Sequence, residues 1–441
     1  MAVDRESLPE DPGHAAEETQ QGDGSNTNPS VEPGSLRSAM QSQAFRRVFA
    51  GTFASNIGTW MQNITLIALA YDLTRNALFT GIITFAQLGP ILLISPFGGA
   101  LADRISRKVL LVSTSAIQLT MSMVLAGVAL SDAPNRVVLV AVVATIGCAN
   151  AINGPTMNAL LPELVQRDDL QPAIAINSVS MNSARVVGPL LGGAIGSIAG
   201  ASSVFAINGL TYLFVIWAVV TVNVDFSPKG HSDTGPLRQI REGFQAARQN
   251  GVISRVLITI AAFSLFSLIF IYQMPLLAEE HLGLSGWKFN ILFACFALGA
   301  AGGALAMGSI LSRIDRAKMT KGSLILFAVM LALFGTTRNL PLAFVSAFVV
   351  GAAYFIIVTA LSTTIQIAVD DSVRGRVMGL WLMAWAGLVP LGGLIAGPII
   401  DTVGISSVLV FGAVVAAFLG VVMNLTEPDY VLQQVHETDP A

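Results

Sequence analysis

The chain has 441 residues, of which 53% are hydrophobic and 12% are charged, and its mean hydropathy is +0.68. Soluble globular domains carry about 25% charged residues, so this composition excludes an ordinary soluble domain and indicates an integral membrane protein. The net charge at pH 7 is only −3, and no nucleic-acid partner is expected.

Residues 1–44 are rich in Asp, Glu, Gly, Ser, Pro and Gln and contain almost no large apolar side chains. Such a segment buries too little apolar surface to fold alone, so we predict a disordered cytoplasmic tail. No apolar core of a cleaved secretion signal precedes Phe45, and the first apolar run is expected to serve as the insertion signal. The polar segment 427–441 is predicted to be a second cytoplasmic tail.

Between these tails, apolar runs of roughly 20 residues recur with short polar breaks, and each is long enough to cross about 30 Å of hydrocarbon as a helix. The predicted spans are 48–71, 79–101, 108–130, 137–160, 171–199, 202–224, 251–278, 289–311, 319–337, 340–366, 376–400 and 404–425. The sequence therefore predicts an all-α integral membrane fold, with about twelve transmembrane helices in two pseudo-symmetric six-helix halves, residues 45–224 and 251–426.

The segment 225–250 links the two halves. Within it, Leu237, Ile240, Phe244 and Ala247 recur at helical spacing, whereas arginines occupy the other faces. We predict an amphipathic helix that lies at the inner membrane surface and tethers the halves. A regulatory or partner-binding role for this helix is the alternative.

The orientation of the chain follows from its 24 Lys and Arg residues. With the amino terminus in the cytoplasm, 19 of them lie on the inner side, and only Arg75, Arg136, Lys288 and Arg338 lie outside. This asymmetry follows the positive-inside rule. Both termini are therefore predicted to be cytoplasmic, in a multi-pass protein of the cell membrane.

A charged segment is repeated in the two halves. Residues Gly99 to Lys108 read GALADRISRK, residues Gly308 to Lys318 read GSILSRIDRAK, and the two glycines are 209 residues apart. The repeat indicates that one half arose by duplication of the other. This pattern is typical of carriers whose halves move around a central site.

The first copy resembles the loop signature between the second and third helices of the major facilitator superfamily. Its matching residues are Gly99, Asp103, Arg104, Arg107 and Lys108. Ser106 replaces a glycine of that signature, and Ser312 and Asp315 depart from it in the second copy. The resemblance implies a major facilitator fold and a gating role, in which the Asp103 carboxylate holds a helix N-terminus across the contact between the halves. A positively charged inner loop without a gating role is the alternative.

A glycine-rich string in the fifth span resembles the antiporter motif of exporter branches of this superfamily. Its residues are Gly188, Pro189, Gly192 and Gly193. The segments 160–193 and 374–381 are also similar to the enterobactin-exporter and macrolide-efflux group. This resemblance implies efflux of a small organic molecule, such as a drug or a siderophore, driven by the proton-motive force. Close helix packing without an export role is the alternative explanation of the glycines.

Ionisable and polar residues within the spans mark a candidate substrate path. Arg185 lies roughly 22 Å along its span, a depth at which charges usually face a cavity or a partner. The other candidates, one of them an aromatic side chain that could stack on a flat substrate, are Asn56, Trp60, Gln62, Asn63, Asn150, Asn153, Gln273, Thr359 and Gln366. Each of these residues could instead hold helices together.

Candidate proton carriers lie only at span ends, because no Asp, Glu or His falls at the centre of a predicted span. They are Asp72, Glu279 and Glu280, at the outer ends of the first and seventh spans. A carboxylate that is desolvated in one state and hydrated in another changes its pKa and can carry a proton. Solvated acids at helix ends are the alternative, and proton coupling itself is implied by the resemblance.

The sequence predicts no enzyme activity, cofactor or metal site. Cys148 and Cys295 lie in different spans, the four histidines lie in tails or loops, and no glycine-rich phosphate-binding motif is present. The expected partners are a small-molecule substrate, protons and the lipid bilayer, with the protein acting as a monomer. Two alternatives to export stay open: import of a small metabolite, and a non-transporting membrane scaffold or sensor.

Overall fold

A computed structural model describes residues 35–131, 133–222, 236–284, 287–308, 315–370 and 373–423, which are almost entirely α-helical and contain no β-strand. The first half comprises α1 (Leu36–Ala39), α2 (Gln43–Thr74), α3 (Ala77–Arg104), α4 (Arg107–Val128), α5 (Arg136–Leu164) and α6 (Leu170–Thr221). The linker and the second half comprise α7 (Pro236–Gln249), α8 (Gly251–Ala262), α9 (Phe270–Leu276), α10 (Trp287–Gly308), α11 (Arg316–Thr336), α12 (Leu340–Ala368), α13 (Arg374–Leu382), α14 (Leu388–Val403) and α15 (Ile405–Val422).

These helices form twelve passes. Ten segments of the described chain are long and apolar enough to cross a membrane, and one of them, 167–221, contains two helices that meet at Gly200. Helix α2 is not one of these ten segments, but its 32 residues are long enough for the remaining pass. The predicted all-α membrane fold with about twelve transmembrane helices is therefore confirmed.

The two halves repeat the same backbone features. Gly200 interrupts α6 with φ 78° and ψ 169°, and Gly404 separates α14 from α15 with φ 84° and ψ 156°. This backbone region is essentially restricted to glycine. Helices α5 and α12 have 29 residues each and follow Asn135 and Asn339, whose side chains accept hydrogen bonds from first-turn N–H groups. Equivalent positions of the two halves thus carry equivalent chain breaks and caps.

Contacts between the halves depend on small residues. The main contacts pair α3 with α14 and α6 with α10. A Cβ added at Gly81 of α3 would lie 2.7 Å from the carbonyl oxygen of Gly393 on α14, and one at Gly397 would lie 2.6 Å from the Cα of Leu78. We call the end of the bundle that holds the α2–α3 connection the clamp end, and the opposite end, which holds the α3–α4 connection, the loop end.

The folded chain begins earlier than the sequence predicts. Residues 35–44 were expected in a disordered tail, but they form α1 and the start of α2. The Ser42 side chain caps α2 and donates a hydrogen bond to the Leu164 carbonyl oxygen at 2.6 Å, which anchors this segment to the end of α5. Residues 1–34 and the second predicted tail, 427–441, lie outside the described residues.

The linker contains the expected helix, and that helix contacts both halves. Helix α7 packs against α13 and α3. Its Ala247 is buried, whereas Phe244 is 55% exposed. One part of the predicted apolar face therefore packs against the protein, and another part faces away from it. Glu242 pairs with Arg376 of α13 at 3.2 Å. The side chain of Leu237 lies outside the described residues.

The first charged segment is helical over most of its length. Helix α3 continues to Arg104 and α4 begins at Arg107, so two residues connect these helices where the predicted spans leave six, 102–107. Alanine, leucine and arginine, which dominate the segment, are good helix formers. In the second copy, Asp315 caps α11 by accepting a hydrogen bond from the Lys318 N–H at 2.9 Å.

Candidate transport site

A charged side chain lies where the two halves meet, at the middle of the bundle. Arg185 is on α6, about 22 Å along the helix from Leu170. Its guanidinium carbon lies 5.5 Å from the ring centroid of Trp60 on α2 and 5.8 Å from the ring centroid of Trp385. Both distances are within the range of cation–π attraction. One aromatic side chain from each half therefore contacts the same guanidinium.

Two tyrosines of the second half complete this site. Tyr272 on α9 and Tyr354 on α12 lie within electrostatic range of Arg185. The side chains of Trp60, Tyr272, Tyr354 and Trp385 are partly exposed. We call this set of five residues the Arg185 site.

An irregular turn positions Trp385. The π turn Met383–Gly387 joins α13 to α14, and it contacts a second π turn, Phe263–Ser267, which joins α8 to α9. A third π turn, Leu277–His281, follows α9. Such turns are rare and often occur at functional sites, because they shift the register of the following side chains. The sequence carries no pattern that predicts them.

Four of the predicted path residues make hydrogen bonds inside the first half or line a small cavity there, namely Gln62, Asn63, Asn150 and Asn153. The Asn208 amide donates a hydrogen bond to Gln62 at 2.9 Å, and the Gln87 amide donates one to Asn63. The Asn153 amide donates a hydrogen bond to the Thr114 hydroxyl at 2.9 Å. Gln62, Asn63 and Asn150 line a cavity of about 30 Å³, which is large enough for one water molecule. These bonds join helices of one half, and contact of these residues with a substrate stays a prediction.

The remaining path residues are spread over both halves. Asn56 on α2 and Thr359 on α12 are partly buried, and Gln366 is exposed toward the loop end of α12. Gln273 on α9 is 1% exposed and donates a hydrogen bond to the Ala77 carbonyl oxygen at 3.2 Å. Gln273 therefore joins the second half to the start of α3.

Among the described residues, three contacts between one side chain and another join the halves at the clamp end, and we call them the clamp. They are the ion pair of Arg75 with Glu279, the hydrogen bond from the Tyr71 hydroxyl to Glu280 at 3.0 Å, and the hydrogen bond from the Asn76 amide to Asp401 at 3.1 Å. Two of the predicted proton carriers, Glu279 and Glu280, thus belong to the clamp. The third is Asp72, and its Oδ1 lies 3.7 Å from Nη2 of Arg75.

The surroundings of Asp72 favour its protonated form. Partial desolvation by the neighbouring helices raises the pKa of the Asp72 carboxyl, although its side chain is 62% exposed. The Arg75 guanidinium opposes this shift and the Glu279 carboxylate adds to it, so that the pKa lies above its ordinary value. Asp72 and Glu279 also line a cavity of about 420 Å³ between α2, α6, α9 and α10. A proton on Asp72 is therefore more stable here than on a carboxyl in water.

A buried ion pair lies at the loop end. Arg107 at the start of α4 pairs with Glu163 at the end of α5, and each side chain is 7% exposed. Lys108 donates a hydrogen bond to the Val220 carbonyl oxygen at 3.1 Å. Glu163 was not predicted from the sequence, although an acid in an apolar helix end is a signal for such a pair. Of the other signature residues, the surroundings of Gly99 and the side chains of Asp103 and Arg104 lie outside the described residues.

The antiporter-like string Gly188, Pro189, Gly192 and Gly193 lies on α6, directly after Arg185. A Cβ at Gly188 would lie 2.5 Å from the Cβ of Trp60, and a Cβ at Gly193 would lie 2.5 Å from the Cβ of Asn290 on α10. The first glycine therefore makes room for an aromatic residue of the Arg185 site. The second allows the two halves to approach.

Comparison with known proteins assigns the chain to a family. The profile of the family described as transmembrane secretion effector matches residues 35–438. The chain belongs to this family. This transporter is 26% identical over 363 residues to the staphyloferrin A transporter of Staphylococcus aureus, with 81% of this chain and 89% of the relative covered. It is 23% identical over 400 residues to the enterobactin exporter EntS of Citrobacter koseri, with 85% and 90% covered.

Solved structures of transporters share the fold. The nucleoside transporter NupG has a TM-score of 0.63 at 15% identity and covers 90% of this chain, with 100% of its own chain covered. A POT family transporter in complex with 5-aminolevulinic acid has a TM-score of 0.69 at 13% identity, with 90% and 97% covered. These likenesses show the fold alone. The transporter is thus a multi-span membrane protein of the major facilitator superfamily, which is not an enzyme class.

Proposed function

We propose that this transporter exports a small organic molecule by alternating access, with the substrate bound at the Arg185 site. The observation that carries the proposal is the composition of that site, in which a charge at mid-depth contacts Trp60 from one half and Trp385 from the other. Movement of one half relative to the other must change this arrangement. Ionisable residues within the membrane generally mark substrate or ion pathways. The similarity to an enterobactin exporter supports the outward direction.

We infer the orientation from the distribution of basic residues. The clamp end faces the outside, whereas the loop end, the linker 225–250 and both tails face the cytoplasm, because 19 of the 24 Lys and Arg residues then lie inside. The two moving units are residues 45–224 and 251–426. The protein acts as a monomer in the cell membrane.

In this orientation the clamp is the outer gate. An ion pair as exposed as Arg75 with Glu279 contributes about 0.2–1 kcal/mol, and each hydrogen bond from a neutral donor to a carboxylate contributes about 1.5–3 kcal/mol. The clamp therefore holds the outer end closed by only a few kcal/mol. A bound substrate can supply that amount through its differential affinity for the two states. Asp103 and Arg107 belong to the inner gate that the family signature implies.

Protons are the proposed coupling ions, and the pKa of Asp72 predicts the direction in which pH shifts the outer gate. Its pKa is raised in the clamped state, mainly by partial desolvation. Opening of the clamp would hydrate Asp72 fully and lower its pKa, so a falling outside pH should favour closure of the outer gate. Protonation from outside would thus return the carrier to the inward-facing state after release of the substrate. Glu279 and Glu280 are the other proposed carriers.

The test is accumulation of macrolides, dyes and siderophores in efflux-deficient bacteria that express the transporter, with and without a protonophore. We expect lower accumulation of at least one compound, and we expect the protonophore to abolish the difference. Asp103→Asn should fold normally but export poorly, whereas Asp168→Asn, which changes an exposed acid at the same end, should export normally.

The possible outcomes separate the proposal from its alternatives. Higher accumulation in expressing cells would indicate import. Export that a protonophore does not affect would contradict proton coupling. Unchanged accumulation of every compound, with the protein present in the membrane, would refute export and favour a scaffold or sensor.

A further inference from the structure

The charge at the Arg185 site restricts the chemical class of the substrate. Arg185 is a basic residue at the middle of a span, whereas the 27 Asp and Glu residues fall in tails, loops and span ends. The site is therefore electropositive at a depth where the surrounding dielectric is low and charge interactions are strong. A cationic substrate would meet a positive charge at this point and no carboxylate from the spans.

The shape of the surrounding side chains adds a second restriction. The rings of Trp60 and Trp385 lie against the guanidinium, the Tyr354 phenol lies within electrostatic range of it, and aromatic rings of this kind bind flat apolar groups by stacking. Tyr272 and Tyr354 also carry hydroxyl groups that can donate hydrogen bonds to an anion. A guanidinium offers two parallel N–H donors that match the two oxygens of a carboxylate.

We propose that the Arg185 site binds a planar organic anion, with its carboxylate on Arg185 and its ring among Trp60, Trp385 and Tyr354. This inference rests on the proposed function and specifies the substrate class of the same site. Tyr272 and Tyr354 lie on the second half, and Arg185 lies on the first. An anion held by all three would bridge the halves, so its binding would favour one arrangement of the halves over the other.

A pair of probes that differ only in charge tests this proposal. Binding of 2-naphthoate and of its uncharged amide, 2-naphthamide, is measured by equilibrium dialysis with the purified full-length protein in detergent at pH 7. We expect the acid to bind at least about tenfold more tightly than the amide, as a charge-assisted bidentate contact implies. Arg185→Gln should remove this preference, and Arg185→Lys should retain part of it.

Two further variants control for folding and for non-specific charge. Arg248→Gln removes an exposed arginine of α7 and should leave the preference intact. Trp385→Leu should weaken the acid and the amide alike, because it removes stacking and leaves the charge. Equal binding of the acid and the amide, no saturable binding of the acid, or an unchanged preference in Arg185→Gln would overturn the proposal.

The efflux assay distinguishes this inference from the proposed function. Loss of acid export in Arg185→Gln, with export of any neutral compound retained, supports both. Wild-type export of neutral or cationic compounds only would leave export standing and overturn the anion site. A protein that binds the acid as expected but exports nothing would support the site and refute export.

Discussion

The buried ion pair at the loop end allows a sharp prediction about stability. Glu163→Gln removes the charge that faces Arg107, and both side chains are only 7% exposed. Breaking a buried pair on one side leaves the other charge without compensation and typically costs about 3–5 kcal/mol. The same change at Glu279 should cost only about 0.2–1 kcal/mol, because its partner Arg75 is 55% exposed. The two variants each break one ion pair, and the difference in their stability cost comes from the difference in burial.

The assay is unfolding of the purified protein in detergent, followed by circular dichroism. Glu163→Gln should lower the apparent melting temperature clearly, Glu279→Gln should lower it little, and Glu163→Gln combined with Arg107→Gln should recover part of the loss. Such recovery is expected because the double variant buries no isolated charge. Equal destabilisation by Glu163→Gln and Glu279→Gln, or simple additivity in the double variant, would refute the reasoning.

Three further predictions concern the clamp and the chain breaks. Arg75→Gln and Glu279→Gln should each shift the equilibrium away from the clamped state by about 0.2–1 kcal/mol, and the double variant should shift it no further. Distances between spin labels on α2 and α9 measure this equilibrium. Additive shifts in the double variant would contradict the pairing of Arg75 with Glu279. The same label distances should show more of the clamped state as the pH falls, and Asp72→Asn should reduce this response; an unchanged response would exclude Asp72 as its source. Gly200→Ala should destabilise the protein by about 1–3 kcal/mol through backbone strain, whereas Gly127→Ala in α4, where a Cβ meets no atom within 4 Å, should not; thermal unfolding that ranks them in the reverse order would contradict this.

Local sequence patterns predict the membrane-spanning elements well. The break between the fifth and sixth spans was predicted between residues 199 and 202, and the structure places it at Gly200. This prediction succeeds because a span is defined by a contiguous apolar run and by the residues that directly follow it in sequence. The π turns were not predictable in this way. They depend on how α8, α9, α13 and α14 pack, and no residue pattern within them is distinctive.

The Arg185 site was predicted only in part. The depth of Arg185 within an apolar run singled it out, and Trp60 was selected as an aromatic residue in mid-span. Tyr272 and Tyr354 were missed, because nothing in their own segments distinguishes them from aromatic residues that fill space. Gln62 and Asn63 were grouped with Trp60 as path residues, but their hydrogen bonds join helices of the first half.

The sequence by itself determined that this protein is a two-halved helical membrane carrier, because composition, span length and the repeated charged segment are properties of contiguous residues. Only the tertiary structure decided that Trp385 contacts the same guanidinium as Trp60, that Glu163 neutralises Arg107, and that the clamp joins the halves. Within a bilayer, apolar surface does not distinguish one helix partner from another. The close packing of small residues and the pairing of polar groups do so instead, and both depend on which helices meet.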